Sequence, residues 1–383
     1  MLNYSIKDNM KIGLVTLHNS YSYGACLQAY ATYLVLSQMG YDVEFVNYTN
    51  SFEQSQNRII STNPLLGIKG NIVKTLENIF LRQYYNRKAS FDHFHRTLKK
   101  SLYFSKIEDM QDLKYDILIS GSDQLWNPDI FNKLDEVFFL NFGVANKRLS
   151  YAASAGSYVF SDQERERLSC LLSRYDYIST REERLNQLVT KLTGREDIKN
   201  VIDPTLLVTK ERWREVASLV PSAVPDRDFI LLYMIGVPYK EYKRTYLPIV
   251  EYYKRRLGLR VYAITSFSFI KVAGTDKSLN ILSPEQFIKV IGDASLIITS
   301  SFHGVAFSII QNKLFVALST ANPVRINNLL KILNIDGRVL DSFNSDTCEA
   351  LLTPPNYDSV NSILYELRSD SLGWLNNSIE YDK

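Results

Sequence analysis

The residues best suited to chemistry lie in the segment Thr299-Ser-Ser-Phe-His-Gly304. The apolar run 295–298 precedes this segment and the apolar run 305–311 follows it, so the pattern predicts a strand, a polar turn and a helix. The first N–H groups of such a helix attract anions, and a histidine within the turn suits proton transfer near neutral pH. The segment therefore predicts a catalytic role for His303, on a substrate that carries phosphate or carboxylate groups.

Neighbouring residues extend this candidate site. Ser300 and Ser301 supply hydroxyl groups, and Gly304 would let a substrate approach the backbone closely. A lone histidine is more often structural, but the position of His303 at a strand-to-helix turn favours the catalytic interpretation. Arg325, just before a leucine-rich helical segment, is a second candidate for anion binding, with a surface salt bridge as the alternative.

A second polar turn, Gly121-Ser-Asp-Gln-Leu-Trp-Asn-Pro128, follows the predicted strand 116–120. It places an acid, amides, a hydroxyl and an indole close together. Asp123 could deprotonate a sugar hydroxyl, and Trp126 could stack on the sugar ring. The alternative is an Asx-turn in which Asp123 caps the segment that follows.

Two weaker candidates follow other strands. The loop Asn19-Ser-Tyr-Ser-Tyr-Gly24 opens a helix but lacks the glycine triplet of a dinucleotide-binding turn. Arg181 follows the predicted strand 177–180 and could bind carboxylate or phosphate with its guanidinium, although a salt bridge is the commoner explanation. Because the sequence contains no Walker loop and no metal-ligand cluster, we expect neither a metal nor a cofactor.

Composition limits the class of protein. The 383 residues suffice for two domains, and 45% hydrophobic with 22% charged residues is typical of a soluble globular protein. The net charge of +3 is too small to indicate a nucleic-acid partner. Three widely spaced cysteines favour a reducing compartment, residues 1–10 lack the apolar core of a signal peptide, and no apolar run could span a membrane. A cytoplasmic location is therefore expected.

The order of predicted elements indicates an α/β fold. Predicted strand 11–18, helix 26–39 and strand 41–48 form the first strand–helix–strand unit, and similar units recur along the chain. A second series begins after about residue 205. We expect two Rossmann-like domains facing each other across a cleft, with the polar turns at the carboxyl ends of the strands. The predicted boundaries are 11–205, 206–350 and a helical C-terminal tail, 351–383, that packs back on the N-terminal domain.

Residues 69–100 differ from the rest of the chain. They contain eight Lys or Arg residues against two acids, interleaved with five Phe or Tyr residues. Such a segment can make peripheral contact with an anionic membrane. The commoner interpretation is a solvated amphipathic helix packed on the first domain.

Six segments, taken in order, resemble the polysaccharide pyruvyl transferase family. They are Tyr23-Gly-Ala-Cys-Leu-Gln-Ala-Tyr30, Gly121-Ser-Asp-Gln-Leu-Trp-Asn-Pro128, Ser150-Tyr-Ala-Ala-Ser154, Ser179-Thr-Arg-Glu182, Asp203-Pro-Thr-Leu206 and Thr299-Ser-Ser-Phe-His-Gly304. No one segment is decisive, but their order is specific, and the resemblance covers roughly residues 11–335.

The resemblance implies two Rossmann-like domains in a glycosyltransferase-B-like arrangement. It also implies transfer of pyruvate from phosphoenolpyruvate to two hydroxyls of one sugar, which forms a cyclic ketal. In bacteria the acceptor is usually a glycan precursor or a lipid-linked repeat unit. The family's second-domain histidine corresponds to His303, and a donor-binding arginine to Arg181.

The expected roles follow from the residues and the resemblance together. His303 would be the general acid, Asp123 would activate the acceptor, and Arg181 would bind the donor. The remaining substrate-binding candidates are Asn19, Tyr23, Gly24, Gln28, Ser122, Gln124, Trp126, Asn127, Ser154, Ser300, Ser301, Gly304 and Arg325.

One departure from the family pattern bears on the donor. Some members have Arg-Leu-His where this chain has Ser301-Phe302-His303, so a positive charge is missing. Arg181, Arg325 or a lysine would have to supply it, or the donor differs. Two other functions stay open: a glycosyltransferase that uses a nucleotide sugar, and a non-catalytic glycan-binding protein.

Overall fold

The structure, a computed structural model, describes residues 10–50, 67–80, 82–224, 228–265, 272–319 and 324–381, without the side chains of 77–87. These residues divide into two compact units. The first consists of the described residues within 10–84, 95–207 and 367–381, and the second of those within 85–94 and 208–366. Each unit is built around one six-stranded parallel sheet. The predicted fold class, α/β with two parallel-sheet domains, is confirmed.

The sheet of the first unit has the strand order β2-β1-β3-β4-β5-β6. Its strands are β1 (Lys11–Val15), β2 (Asp42–Phe45), β3 (Lys114–Ser120), β4 (Val144–Ala153), β5 (Tyr177–Thr180) and β6 (Lys199–Asn200). The helices of residues 10–207 are α1 (Tyr23–Gln38), α2 (Gly67–Phe80), α3 (Arg82–Arg96), α4 (Pro128–Phe131), α5 (Asp162–Leu172), α6 (Glu183–Thr193) and α7 (Pro204–Leu207). Two 3₁₀ turns, Ile107–Met110 and Glu136–Phe139, lie between them.

The sheet of the second unit has the strand order β12-β11-β10-β7-β8-β9. Its strands are β7 (Phe229–Met234), β8 (Arg260–Thr265), β9 (Lys277–Ser278), β10 (Leu296–Thr299), β11 (Phe315–Leu318) and β12 (Val339–Leu340). The helices after residue 207 are α8 (Lys210–Ser218), α9 (Tyr239–Glu241), α10 (Leu247–Leu257), α11 (Pro284–Asp293), α12 (Phe302–Ile310), α13 (Val324–Ile332), α14 (Ser345–Ala350) and α15 (Tyr357–Glu380). A π-helical turn, Tyr242–Tyr246, precedes α10.

Local sequence explains the central elements. All six residues of β7 are buried, as expected for a central parallel strand that is covered by helices on both faces. Helices α5 and α11 each begin with a capping box, Ser161 with Glu164 and Ser283 with Gln286. Helix α10 ends at Gly258, whose φ of +66° a glycine adopts without strain.

Pairs of parallel strands bring the polar turns of each unit to one edge of its sheet. Strand β1 pairs with both β2 and β3, β4 with β3 and β5, and β10 with β7 and β11. The turns after β1, β3, β4 and β5 therefore share the carboxyl edge of the first sheet. The turn after β10 lies on the carboxyl edge of the second.

The basic segment 69–100 forms helices α2 and α3. In α3 the side chains of Phe91 and Phe94 are buried, but residues 85–94 belong to the second unit, so the expectation of a helix packed on the first domain was wrong for this part. Phe80, Tyr84 and Tyr85, which contributed to the membrane prediction, have side chains outside the described part of the chain. In α2 the apolar side chains of Ile68, Ile72 and Leu76 are exposed. Among the described residues, no helix has both the length and the apolar character needed to cross a membrane.

Candidate active site

The carboxyl edge of the second sheet carries His303. Helix α12 begins at Phe302, so His303 is the second helical residue. The prediction that the histidine sits in a turn ahead of a helix beginning at Val305 was wrong. The cause is that Phe302, His303 and Gly304 are buried and extend the helix at its N-terminus, whereas the apolar run in the sequence begins only at Val305. Ser301 occupies the N-cap position, and its side chain makes no capping hydrogen bond with the described residues.

Aromatic and cationic groups surround His303 within the second unit. The imidazole is 6% exposed, and its ring meets that of Phe302 edge to face at 5.1 Å between centroids. The guanidinium carbon of Arg325 lies 5.8 Å from the centroid of the Phe302 ring, a cation–π distance. Arg325 and the N-terminal turn of α12 thus place positive charge next to the histidine.

Ser300 and Gly304 have structural roles that the sequence did not indicate. The Ser300 hydroxyl donates to the carbonyl of Ile235 and accepts from its N–H, both at 3.0 Å, which ties the ends of β10 and β7 together. A Cβ at Gly304 would lie 2.2 Å from Oγ1 of Thr299 and 2.8 Å from the ring of Tyr233. Gly304 therefore permits close packing of α12 on the sheet. The expectation that a substrate approaches its backbone stays a prediction.

In the first unit, polar side chains from the segments after β3, β4, β5 and β6 meet around Arg181. We call them the Arg181 cluster: Arg181, Ser122, Asp123, Ser154, Glu182 and Asp203. Nη1 of Arg181 lies 2.7 Å from Oδ2 of Asp203, Nε lies 3.2 Å from Oε1 of Glu182, and Nη2 lies 3.8 Å from Oδ1 of Asp123. Nη2 also donates to the hydroxyl of Ser154 at 3.1 Å, and that hydroxyl donates to Glu182 at 2.7 Å.

The electrostatics of the cluster are dominated by its carboxylates. Burial by itself lowers the pKa of Arg181, but Glu182, Asp203 and Asp123 raise it more, so the net pKa lies above its ordinary value. The Arg181 side chain is 5% exposed and its guanidinium binds these acids. In this structure the guanidinium of Arg181 is bound by these acids, and its role in binding a donor anion stays a prediction. One guanidinium among three carboxylates leaves a negative site.

Asp123 is the acid of the cluster that reaches solvent, because 14% of its side chain is exposed against 4% for Glu182 and none for Asp203. Its backbone has a φ of +70°, in the left-handed region, and pairs with Ala153 in an isolated parallel bridge. Non-glycine residues rarely adopt this conformation, so the surrounding structure must hold Asp123 in it. The capping residue of the next helix is Asn127, whose side chain accepts from the N–H of Asp129. Asn127 therefore caps α4, and the Asx-turn alternative for Asp123 stays a prediction.

Trp126 belongs to the core of the first unit. It is fully buried, its ring stacks on Phe139 at 5.2 Å, and its indole N–H donates to the carbonyl of Phe138 at 3.3 Å. The expectation that Trp126 stacks on a sugar ring is corrected, since neither face nor N–H is left for a ligand. Gln124 stays at the surface side of the same turn, where its Oε1 accepts from Asn127 at 2.8 Å.

Other predicted contacts are interior as well. Ser122 and Ser154 are fully buried, and the hydroxyl of Ser122 points to Asp203 at 3.4 Å. Tyr23, Gly24 and Gln28 are buried in α1. The amide nitrogen of Gln28 donates to Oγ1 of Thr16 and to the carbonyl of Ala25, both at 2.9 Å. Gln28 attaches α1 to Thr16 at the end of β1, and both Gln28 and Tyr23 are buried, so a role for them in a sugar site stays a prediction.

Asn19 joins a polar network at the end of β1. Its amide donates to Oδ1 of Asn47 at 3.0 Å and accepts from Nζ of Lys100 at 2.9 Å. His18, beside it, bonds the carbonyl of Thr16 at 3.0 Å through Nδ1. Burial, together with the charge of Lys100, lowers the pKa of His18 to about 4, so the imidazole is neutral at physiological pH.

Sequence reasoning missed three functional candidates. Asp203 and Glu182 complete the Arg181 cluster, and His18 lies in the network of Asn19. The sequence signal for Asp203 was its position before Pro204 and after a strand. In the structure its carboxylate accepts from the N–H and the hydroxyl of Thr205 at the start of α7. We find no comparable local signal for His18, whose surroundings come from residues far apart in the sequence.

Comparison with known families identifies the family of the chain. The family model for polysaccharide pyruvyl transferase matches residues 23–322. This range includes both the Arg181 cluster and the His303 region. The chain belongs to the polysaccharide pyruvyl transferase family, and the resemblance predicted from the six segments is confirmed. No curated protein matches the sequence significantly.

Solved structures share the fold at low sequence identity. The UDP-GlcNAc 2-epimerase from Methanocaldococcus jannaschii is 13% identical with a TM-score of 0.50, over 94% of this chain and 99% of its own. The spinosyn forosaminyltransferase SpnP is 12% identical with a TM-score of 0.48, over 98% and 100%. The UDP-N-acetylglucosamine 2-epimerase from Rickettsia bellii is 10% identical with a TM-score of 0.47, over 96% and 98%. At 13% identity, the similarity to the Methanocaldococcus jannaschii epimerase shows the fold alone.

Proposed function

We propose that the protein transfers pyruvate from phosphoenolpyruvate to two hydroxyls of one sugar in a polysaccharide precursor, forming a cyclic ketal. The observation that carries this proposal is the opposite charge of the two sheet edges. The edge of the second unit presents a histidine, a helix N-terminus and Arg325, whereas the edge of the first presents the acidic Arg181 cluster. A doubly anionic donor fits the former, and hydroxyl donors fit the latter.

On the donor side, His303 is the general acid. Its position in the first turn of α12 places it where the helix N–H groups attract phosphate or carboxylate. Arg325 supplies the charge that the family pattern has at position 301, because Arg181 is engaged by buried acids. A guanidinium suits this task, since it can bind two oxygens of one carboxylate or phosphate.

On the acceptor side, Asp123 is the general base. It is the most exposed carboxylate of the Arg181 cluster, and the nearby guanidinium of Arg181 orients it. Gln124 and Asn127, which hydrogen-bond each other, bind the sugar hydroxyls nearby. We assign no contact with the sugar to Trp126, Tyr23 or Gln28.

The reaction balances with these groups alone. His303 protonates the methylene carbon of phosphoenolpyruvate, which makes C2 electrophilic. One sugar hydroxyl attacks C2 and loses its proton to Asp123. The phosphate then leaves with the C2–O bond electrons, and the second hydroxyl closes the ketal. Of the two hydroxyl protons, one replaces the proton that His303 gave and the other protonates the phosphate.

The acceptor is proposed to be lipid-linked and reached at the membrane surface through α2. Ile68, Ile72 and Leu76 recur every four residues and are exposed on one face of α2, with Lys69 and Lys74 nearby in sequence. Apolar and basic side chains in this pattern bind anionic interfaces. In vesicle flotation, Ile72→Glu should abolish association with phosphatidylglycerol vesicles, whereas Leu219→Glu, an equally apolar exposed position in the second unit, should not. If both variants lost vesicle association equally, α2 would not be the membrane-binding element.

Thermal stabilisation by ligands tests the donor. Phosphoenolpyruvate should raise the melting temperature of the wild type and of Lys331→Ala, but much less that of Arg325→Ala. Both positions lie on α13, so the pair controls for general charge. Stabilisation by UDP-N-acetylglucosamine and not by phosphoenolpyruvate would favour a nucleotide-sugar glycosyltransferase and refute the proposed donor.

A further inference from the structure

A cavity of about 490 Å³ lies in the second unit, away from His303. Its volume is within the range of small-molecule sites, roughly 300–1,000 Å³. Helices α8 and α11 and the segment after α12 provide its walls. The lining residues are Arg214, Ala217, Ser218, Ile288, Lys289, Gly292, Asp293, Gln311 and Lys313.

The cavity opens at the other edge of the sheet from His303. Gln311 and Lys313 precede strand β11, and Asp293 precedes β10, so the lining belongs to the amino ends of these strands. Gln311 follows His303 by eight residues of helix, which is a rise of about 12 Å at 1.5 Å per residue. The cavity is therefore separate from the candidate active site.

Positive charge predominates in the lining. Arg214, Lys289 and Lys313 face one carboxylate, Asp293, among the described lining residues. Lys289 donates to the carbonyl of Val220 at 2.9 Å, which fixes its ammonium group. Three cations against one acid leave an excess of two positive charges, which an anion with two negative charges would neutralise.

The pKa of Lys313 reflects its burial and the charges around it. Burial lowers the pKa of its ammonium group below the ordinary value, and the charges of Lys210 and Arg214 lower it further. Asp293 compensates in part. A bound anion would favour the charged form of Lys313, and the charged lysine would in turn strengthen anion binding.

Gln311 is a buried polar side chain in the same cavity. It is 2% exposed, and neither Oε1 nor Nε2 hydrogen-bonds with any residue that the structure describes. A buried polar group without a hydrogen-bond partner destabilises the folded state. Gly292 leaves space beside the amide, since a Cβ there would still be 3.8 Å from Oε1. The amide can therefore donate to and accept from a ligand in the cavity.

We propose that this cavity, the Gln311 cavity, binds the phosphate groups of a soluble phosphorylated small molecule. Arg214, Lys289 and Lys313 hold the phosphate oxygens, and the amide of Gln311 binds a neighbouring polar group. The guanidinium of Arg214 suits phosphate geometry, and the two lysines add point charges. This second site is independent of the proposed pyruvyl transfer.

Calorimetric titration with inorganic pyrophosphate tests the proposal. Lys313→Ala and Arg214→Ala should each weaken binding at least tenfold and make it less sensitive to salt. Lys277→Ala, a matched removal of an exposed lysine in the same unit, should leave the affinity unchanged. Arg325→Ala and His303→Ala should also leave it unchanged, which separates this site from the donor site.

Gln311→Met separates binding from folding. Without ligand its melting temperature should equal or exceed that of the wild type, because an unpaired buried amide is removed, while pyrophosphate binding weakens. If Lys313→Ala does not fold, pyrophosphate binding by Arg214→Ala tests the proposal instead. The Arg214 side chain is exposed, so its removal should leave the fold intact. Absence of pyrophosphate binding, its loss in Arg325→Ala but not in the cavity variants, or binding only to phosphatidylglycerol vesicles would overturn the proposal.

Discussion

Nη1 of Arg181 lies 2.7 Å from Oδ2 of Asp203, and the Asp203 side chain is completely buried. Glu182 and Asp123 approach the same guanidinium from neighbouring turns. This pair therefore fixes the end of β5 relative to the start of α7, and the hydrogen bond from Arg181 to Ser154 adds the end of β4. The guanidinium of Arg181 offsets part of the repulsion between the three carboxylates at this edge of the first sheet.

Removal of the guanidinium should destabilise the first unit. Arg181→Met leaves three carboxylates close together, two of them buried, and breaking a buried ion pair typically costs about 3–5 kcal/mol. The free energy of unfolding from urea titration measures the loss. Arg167→Met is the matched control, because Arg167 forms an exposed ion pair with Glu136 and its removal should cost less than about 1 kcal/mol. Similar losses in the two variants would show that the cluster is not a structural centre.

Removal of the imidazole should affect chemistry more than folding. His303→Ala should lower turnover about 10²–10⁴-fold, the usual contribution of a general acid, with an unchanged circular dichroism spectrum. His93→Ala, at an exposed histidine, should keep wild-type turnover. Full activity in His303→Ala would remove His303 from the mechanism.

The absence of a side chain at Gly304 should matter for packing. Gly304→Ala forces a Cβ within 2.2 Å of Thr299 and should cost about 1–3 kcal/mol by overpacking, measured by thermal unfolding. Gly373→Ala, in α15 with open space around it, should instead stabilise by about 0.5–1 kcal/mol through helix propensity. A neutral Gly304→Ala would mean that α12 does not need this close contact with the sheet.

Acid should destabilise the fold through His18. The unfolded histidine binds a proton with a pKa near 6.5, whereas burial lowers the folded pKa to about 4. Between these values the unfolded state binds more protons, so the free energy of unfolding decreases as the pH falls, by up to about 1.4 kcal/mol per unit. Urea titrations from pH 7 to 4 should show a shallower decrease for His18→Gln than for the wild type. Parallel pH profiles would refute the assignment.

The sequence predicted the fold better than the site. Long apolar runs such as 229–235 predicted β7 well, because a central strand buried on both faces has a continuous apolar pattern. The two-residue strands β6, β9 and β12 were missed, since two residues carry no periodic signal.

The roles of the site residues were harder to predict, for a different reason. Trp126 and Gln28 have types that bind sugars, but the same types also fill cores, and only the packing around them decides. Arg181 was located correctly after a strand, yet its partners Asp203 and Asp123 are distant in sequence. Which polar groups pair inside a turn cluster depends on tertiary contacts that local patterns do not contain.

Mass spectrometry of the acceptor tests the central claim most directly. The protein is incubated with phosphoenolpyruvate and a lipid-linked sugar, and released phosphate is counted in parallel. The account predicts an acceptor heavier by one pyruvate less one water, with one phosphate released per acceptor modified and both signals lost in His303→Ala. An unmodified acceptor, together with transfer of a sugar from UDP-N-acetylglucosamine under the same conditions, would contradict it.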